Sequence, residues 1–247
     1  MRLILRRLSE ALSKQDWSIV TVEVLVVVVG ILLGLQIDDW NQARKDGNDE
    51  QLFLQRLHND LLLADQLSQR VRARRLERQG LLLDASDVLF GRADRDTLSE
   101  EECFSVASAN FFNINIADFP SMLELAGTGR MHIIQNAELR SALVHFDQVK
   151  GALTKIIEVQ TIASEVLPHS YPDLIQLRTY FDADVGEAIS ESQCDTQGMR
   201  ENQAFLNDFS VSVDRYDAYV RDGLAPWSAQ FDKVHRLVDD AVDIGHE

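Results

Sequence analysis

An apolar segment bounded by Trp17 and Trp40 constrains this chain more than any other part of the sequence. It reads WSIVTVEVLVVVVGILLGLQIDDW. A helix from Ile19 to Ile37 would be about 28 Å long, which is close to the roughly 30 Å hydrocarbon core of a bilayer. Tryptophan is also typical of both membrane interfaces. The segment therefore predicts a single transmembrane helix over residues 19–37.

The flanks of this helix predict a retained anchor and its orientation. A cleaved signal peptide would end in small residues, whereas this segment leads into Gln36, Asp38 and Asp39. The basic residues before it are Arg2, Arg6, Arg7 and Lys14, and those shortly after it are Arg44 and Lys45. By the positive-inside rule, residues 1–18 form a cytoplasmic tail. The rest then lies outside the cytoplasm, which in a Gram-negative bacterium means the periplasmic side of the inner membrane.

The charge is concentrated beyond the predicted span. The chain has a formal net charge of -16. Residues 1–37 hold four basic and three acidic side chains, so residues 38–247 hold 20 basic and 37 acidic ones, a net -17. Such a domain repels polynucleotides and anionic lipid head groups, so we expect no nucleic-acid partner. The charge would favour a cationic partner or ion, or it keeps the domain soluble.

Two cysteines, Cys103 and Cys194, fall on the oxidising side in this topology. A bridge between them would close a loop of about 90 residues and contribute roughly 4 kcal/mol in the chain-entropy model. Two buried free thiols are the alternative. The sequence sets no distance between the two sulfur atoms, so both remain open.

Helical spacing dominates the chain after the span. Few glycines and no proline interrupt residues 48–90, which we expect to form a long helix. Thr97 or Ser99 would cap a helix beginning with three glutamates, and Ser121 would cap a short helix ended by Gly127. The remaining helices are expected at 136–166, 172–182, 198–222 and 227–244, with breaks at Pro168 and Pro172.

Strand-like alternation is nearly absent, so the predicted class is all-α. An N-terminal transmembrane helix would lead into a long helical stalk and an extracytoplasmic helical bundle. The predicted segments are a tail over 1–18, the span over 19–37, a juxtamembrane segment and stalk helix over 38–91, and a periplasmic helical domain over 92–247.

Two patches of the sequence carry a family signature. The first is Glu23 followed by VLVVVVGILLGLQIDDWNQARKD, whose matching positions are Gly30, Gln36, Ile37, Trp40 and Asn41. The second is LELAGTGRMHIIQNAELRSAL, whose matching positions are Gly129, Ile133, Ile134, Asn136 and Leu139. The two patches resemble DUF6090, a family of uncharacterised bacterial single-span membrane proteins. Asp38 and Asp39 stand where asparagine is commoner in that family and add negative charge, and Gln42 stands where glutamate is commoner. The resemblance implies the membrane topology and carries no activity or cofactor.

Glu23 is an acidic residue inside the predicted span, where a central charge costs at least about 2.5 to 3.5 kcal/mol. At 100 degrees per residue, it shares a stripe with Val27, Gly30, Gly34 and Ile37. Glycines four residues apart let two helices approach closely. The stripe predicts contact with a second copy or another membrane subunit. Two alternatives are a proton-binding carboxylate of an ion-driven complex and simple interfacial placement.

Two further groups are candidate binding sites. Asp38, Asp39, Trp40 and Asn41 form a juxtamembrane collar, either a cation or partner site or a stop-transfer boundary with a tryptophan anchor. Arg70, Arg74 and Arg78 share one helix face and could bind an anion. Pairing of these arginines with carboxylates on neighbouring helices is the favoured interpretation.

No catalytic or metal motif is apparent. The histidines are His58, His132, His145, His169, His235 and His246, and they lack HExxH or paired-Cys spacing. There is no GxSxG elbow and no phosphate loop. We therefore predict no catalytic residues, metal or cofactor, and a protein that is not an enzyme.

The leading hypothesis is a membrane-anchored periplasmic interaction or scaffold protein that self-assembles through its transmembrane helix. The second is a subunit of an ion-coupled membrane complex that uses Glu23 as its titrating group. A periplasmic ligand sensor is a third, disfavoured because fewer than 20 residues precede the span and leave no room for an output domain.

Overall fold

The computed structural model describes residues 17–112, 119–183 and 186–242, with side chains from residue 21 onward. The predicted tail, apart from its last two positions, and His246 lie outside these ranges. The helices are α1 (Trp17–Leu89), α2 (Glu100–Ala107), α3 (Pro120–Gly127), α4 (Ala137–Ala163), α5 (Leu167–Ser170), α6 (Thr196–Glu201), α7 (Gln203–Ala218) and α8 (Ala225–Ala241). The strands β1 (Ile175–Asp182) and β2 (Glu187–Cys194) form one antiparallel hairpin. The all-α prediction is thus essentially confirmed.

The chain divides into two compact units, Met1–Leu52 and Phe53–Glu247. In the first unit, every residue from 21 to 40 is exposed, including Val26 at 66% and Ile37 at 67%. Among the described residues, one helix, α1, is long and apolar enough to cross a membrane. Membrane anchors and signal sequences both have this length and composition.

The second unit buries many of its aromatic side chains around one core. Phe146 of α4 packs against Phe119 and against Phe231 of α8, with ring centroids 5.3 and 6.4 Å apart. A π-helical segment, Tyr219–Leu224, joins α7 to α8 and places Tyr219 on Phe112 at 5.6 Å. Burying such rings supplies much of the apolar free energy of a core.

Polar contacts join the second-unit part of α1 to α7 and α8. The paired residues are His58 with Asp239, Arg72 with Asp232, and Gln79 with Asp217. The residue numbers of the partners decrease as those of the α1 residues increase, so α1 runs antiparallel to the segment that contains α7 and α8. These contacts join positions up to 181 residues apart in the sequence.

The predicted cap of α2 is confirmed, with Ser99 at the N-cap. Its side chain accepts from the Glu102 amide, and the Glu102 carboxylate accepts from the Ser99 amide, which completes a capping box. Glu102 is buried and also accepts two hydrogen bonds from Arg95, one of them 2.6 Å long. The Ser121 cap is wrong, because α3 begins at Pro120 and the Ser121 hydroxyl donates to Asp60 instead.

The helix expected at 172–182 is also wrong, since β1 occupies most of that range and pairs with β2 from Ile175–Cys194 to Asp182–Glu187. Ile175 is buried, whereas Leu177 and Phe181 are 49% and 69% exposed. Their alternation was the available strand signal. The polar β2 offers no matching alternation, so this signal alone does not identify a hairpin.

Cys103 of α2 and Cys194 at the end of β2 form a disulfide, with Cα atoms 5.8 Å apart. The bridge is the first of the two alternatives that the sequence left open. Cys194 pairs with the buried Ile175, so the disulfide ties the base of the hairpin to α2.

We expect Glu102→Gln to lower the free energy of unfolding by about 1–3 kcal/mol at pH 7, because a buried charge-assisted hydrogen bond is lost. The hydrogen bond from Arg95 lowers the pKa of Glu102. The stabilisation is therefore present above the unfolded-state pKa and is lost as the pH falls through the folded-state value. Urea unfolding of the full-length protein in detergent, followed by the fluorescence of the buried Trp227, measures it.

Glu101→Gln is the matched control, since Glu101 lies in the same helical turn but is exposed. Its effect should be a few tenths of a kcal/mol, as for other exposed helix-end charges. If the difference in the free energy of unfolding between the wild type and Glu102→Gln stays constant from pH 7 to pH 3, the role assigned to Glu102 is wrong.

Reduction of the disulfide should lower the stability of the second unit by roughly 4 kcal/mol if the bridge acts by restricting the unfolded chain. The measurement is the urea midpoint with and without a phosphine reductant. A Cys103→Ser, Cys194→Ser variant is the control and should be insensitive to reductant. An unchanged wild-type midpoint after verified release of both thiols would refute the expectation.

Candidate functional site

A cleft of about 770 Å³ lies between α1, α2 and β2 in the second unit. Its wall from α1 includes Arg74, Glu77, Arg78 and Leu81. The helix α2 supplies Glu100, Glu101 and Phe104, the two residues before the helix that line the cleft are Leu98 and Ser99, and β2 supplies residues 190–194. Cys103 and Cys194 both line the cleft, so the disulfide holds two of its walls together.

The predicted arginine face is partly built into this cleft. Arg74 and Arg78 line it. The half-buried Arg78 donates to the Ser108 carbonyl at 3.5 Å and lies 5.8 Å from the Phe104 ring centre. Burial lowers the pKa of Arg78. Arg70 instead donates to the Gln66 carbonyl of its own helix.

Pairing with a carboxylate on a neighbouring helix was expected of Arg70, Arg74 and Arg78, and the structure shows it at Arg72. In the described ranges, Arg72 reaches Asp232 at 3.3 Å and also contacts the Ser228 hydroxyl. This contact joins α1 to α8. Arg75 bonds the Phe111 carbonyl at 3.4 Å.

Acidic residues outnumber basic ones in the cleft. Two arginines, Arg74 and Arg78, face four glutamates, which are Glu77, Glu100, Glu101 and Glu191. Leu81 and Phe104 add apolar surface to the lining. This composition offers hydrogen-bond acceptors and apolar surface to a cationic, amphipathic segment, while the arginines provide local sites for its acidic groups.

A second group of side chains lies between α1 and α8. His58 Nδ1 is 2.7 Å from Asp239 Oδ1, and His235 Nε2 is 3.6 Å from Asp239 Oδ2. The side chains of His58, His235 and Asp239 are 10%, 14% and 2% exposed. Within the part of the chain that the structure describes, these three residues form a group that could hold a metal ion. Sequence reasoning missed them, although the spacing of four between His235 and Asp239 places both on one helix face.

The membrane-stripe residues belong to the first unit. Glu23, Val27 and Ile37 are exposed, and a side chain at Gly30 or Gly34 would meet open space among the described residues. The collar residues Asp38, Asp39 and Trp40 are exposed too. The Arg44 guanidinium lies over the Trp40 ring at 5.5 Å and donates to Asn41 at 3.5 Å.

Comparison with known proteins gives one family match. No curated protein and no solved structure matches the chain. A model of a family of unknown function, DUF6090, matches residues 23–147, just over half of the chain. The match begins at Glu23 and includes the apolar helix and both sequence patches described above. The chain therefore belongs to the DUF6090 family.

Proposed function

We propose that this chain is a non-enzymatic, single-pass membrane protein of the bacterial inner membrane. Its N-terminus faces the cytoplasm, and its second unit acts in the periplasm by binding a protein partner. The observation that carries the proposal is the fully exposed apolar surface of residues 21–37 in a chain whose second unit is acidic and disulfide-bonded.

The exposed surface supports the membrane anchor on energetic grounds. Exposing a Val, Leu or Ile side chain to water forfeits about 1.5–3 kcal/mol relative to burial. A continuous run of such residues is therefore stable only against lipid or another apolar surface. The bilayer is the partner that its length fits.

The disulfide and the basic residues support the orientation independently of each other. Disulfides persist in oxidising compartments such as the bacterial periplasm. The basic residues before the apolar run favour a cytoplasmic N-terminus by a different physical mechanism. Both point to the same side for Cys103 and Cys194.

The cleft supports partner binding as the activity. Its volume of about 770 Å³ can admit several side chains of a peptide segment. Glutamates on its rim favour a basic segment, and Leu81 and Phe104 offer it apolar contacts. A cationic amphipathic segment of another protein is the partner class that this chemistry suits.

The topology is tested with reporter fusions at the C-terminus of the full-length chain. An alkaline phosphatase fusion should be active, because that enzyme needs the periplasm, and a green fluorescent protein fusion should stay dark. Neutralising Arg2, Arg6, Arg7 and Lys14 should weaken this bias. Fluorescent cells carrying the wild-type fusion would refute the orientation.

Self-association through the stripe is the further part of the proposal. Gly30→Leu, Gly34→Leu should convert a defined oligomer into smaller species, because the added side chains keep two backbones apart. Light scattering of the protein in mild detergent measures the mass. Val28→Leu, Leu32→Phe is the matched control, since it adds bulk away from the stripe. A wild-type monomer, or an oligomer indifferent to both variants, would contradict the idea.

An ion-coupled complex is the second candidate, and Glu23 is the observation that favours it, as a carboxylate within the apolar part of α1. Glu23→Gln separates the candidates. Loss of cellular function with the oligomer intact supports ion coupling, whereas loss of the oligomer supports a packing role.

A further inference from the structure

We propose that His58, His235 and Asp239 form a binding site for a divalent transition-metal ion of the zinc class. Their ligand atoms all lie within 4.8 Å of one another. The site lies inside the second unit, where α1 packs on α8, and is separate from the cleft beside the disulfide. The spacing of the histidines along the sequence predicted no metal site, and this proposal departs from that prediction.

The separations between the donor atoms fit a single ion. Zinc binds imidazole nitrogen and carboxylate oxygen at about 2.0–2.2 Å, so neighbouring tetrahedral ligands lie roughly 3.3–3.6 Å apart. His235 Nε2 and Asp239 Oδ2 are 3.6 Å apart, and His58 Nδ1 and Asp239 Oδ1 are 2.7 Å apart. These two distances end on different oxygens of Asp239, and the three ligand atoms lie within 4.8 Å of one another, so binding an ion requires side-chain adjustments of about 1–1.5 Å.

The scaffold already holds the ligands near each other. His235 and Asp239 lie one helical turn apart on α8 and point to the same side. His58 is brought to them by α1, which the Arg72 contacts with Ser228 and Asp232 fasten to α8. The Phe231 ring packs edge-on against His235, with centroids 6.1 Å apart, and restricts the imidazole. Binding would therefore cost little further ordering of these side chains.

Charge and burial also favour a cation here. Asp239 is 2% exposed, and a buried carboxylate is costly unless it is compensated. A divalent ion would compensate it and use the two imidazoles as neutral ligands. The formal net charge of -16 raises the local concentration of cations.

The donor set selects the class of ion. Two imidazole nitrogens and one carboxylate suit zinc and its first-row neighbours, whereas magnesium and calcium prefer all-oxygen sites. Three protein ligands leave a fourth position of a tetrahedral zinc ion for water or a partner's side chain.

The test is calorimetric titration of ZnCl₂ into the full-length, tag-free protein in detergent after treatment with a chelator. We expect one equivalent to bind with a dissociation constant below about 10 µM, and MgCl₂ to give no comparable signal. The d–d absorption of bound Co²⁺ provides a second readout, because its intensity reports tetrahedral coordination by the protein.

The variants are His235→Gln and Asp239→Asn, which keep the approximate size of each side chain. Each should weaken zinc binding at least a hundredfold. The matched control, His169→Gln, removes an exposed histidine and should bind as wild type does. Circular dichroism checks that each variant folds. A wild-type protein that binds no zinc below about 10 µM, or folded variants that bind it unchanged, would overturn the proposal.

Discussion

The second unit depends on the antiparallel contact between α1 and the C-terminal helices. His58 with Asp239, and Arg72 with Asp232, join segments that lie far apart in the sequence and that both contribute to the core. Because Asp239 is almost fully buried, removal of His58 would leave a carboxylate without this partner in a region of low dielectric. Both α1 and α8 contribute residues to the core, and α1 also forms one wall of the cleft. The core aromatics and the cleft walls are therefore arranged around this contact.

The two units meet different physical requirements within one chain. Residues 21–37 expose aliphatic side chains that water solvates poorly, whereas residues 38–247 carry an excess of acidic groups that need water or cations. An aqueous phase alone therefore satisfies only the second unit. The division of the chain in the structure falls later, between Leu52 and Phe53, and α1 is helical across both boundaries.

Sequence patterns predicted the elements that are governed by local physics. The Ser99 cap, the helix start near Asn136 and the helix end at Gly127 follow from local hydrogen bonding and backbone preference, and the structure contains all three. The hairpin was missed because the polar β2 has no pattern of its own without its partner strand. The histidine cluster was missed because His58 approaches Asp239 only through the folded core, and no spacing along the chain encodes that distance.

The disulfide shortens the covalent path between His58 and Asp239, which lie near the two ends of the second unit. Cys103 lies 45 residues after His58, and Asp239 lies 45 residues after Cys194. The covalent path from His58 to Asp239 through the bridge is therefore half as long as the 181-residue path along the backbone. Halving a flexible loop reduces its closure entropy cost by about 0.6 kcal/mol. Oxidation thus brings the ends of the second unit closer on average before they pack, which couples the order of folding events to the redox state of the compartment.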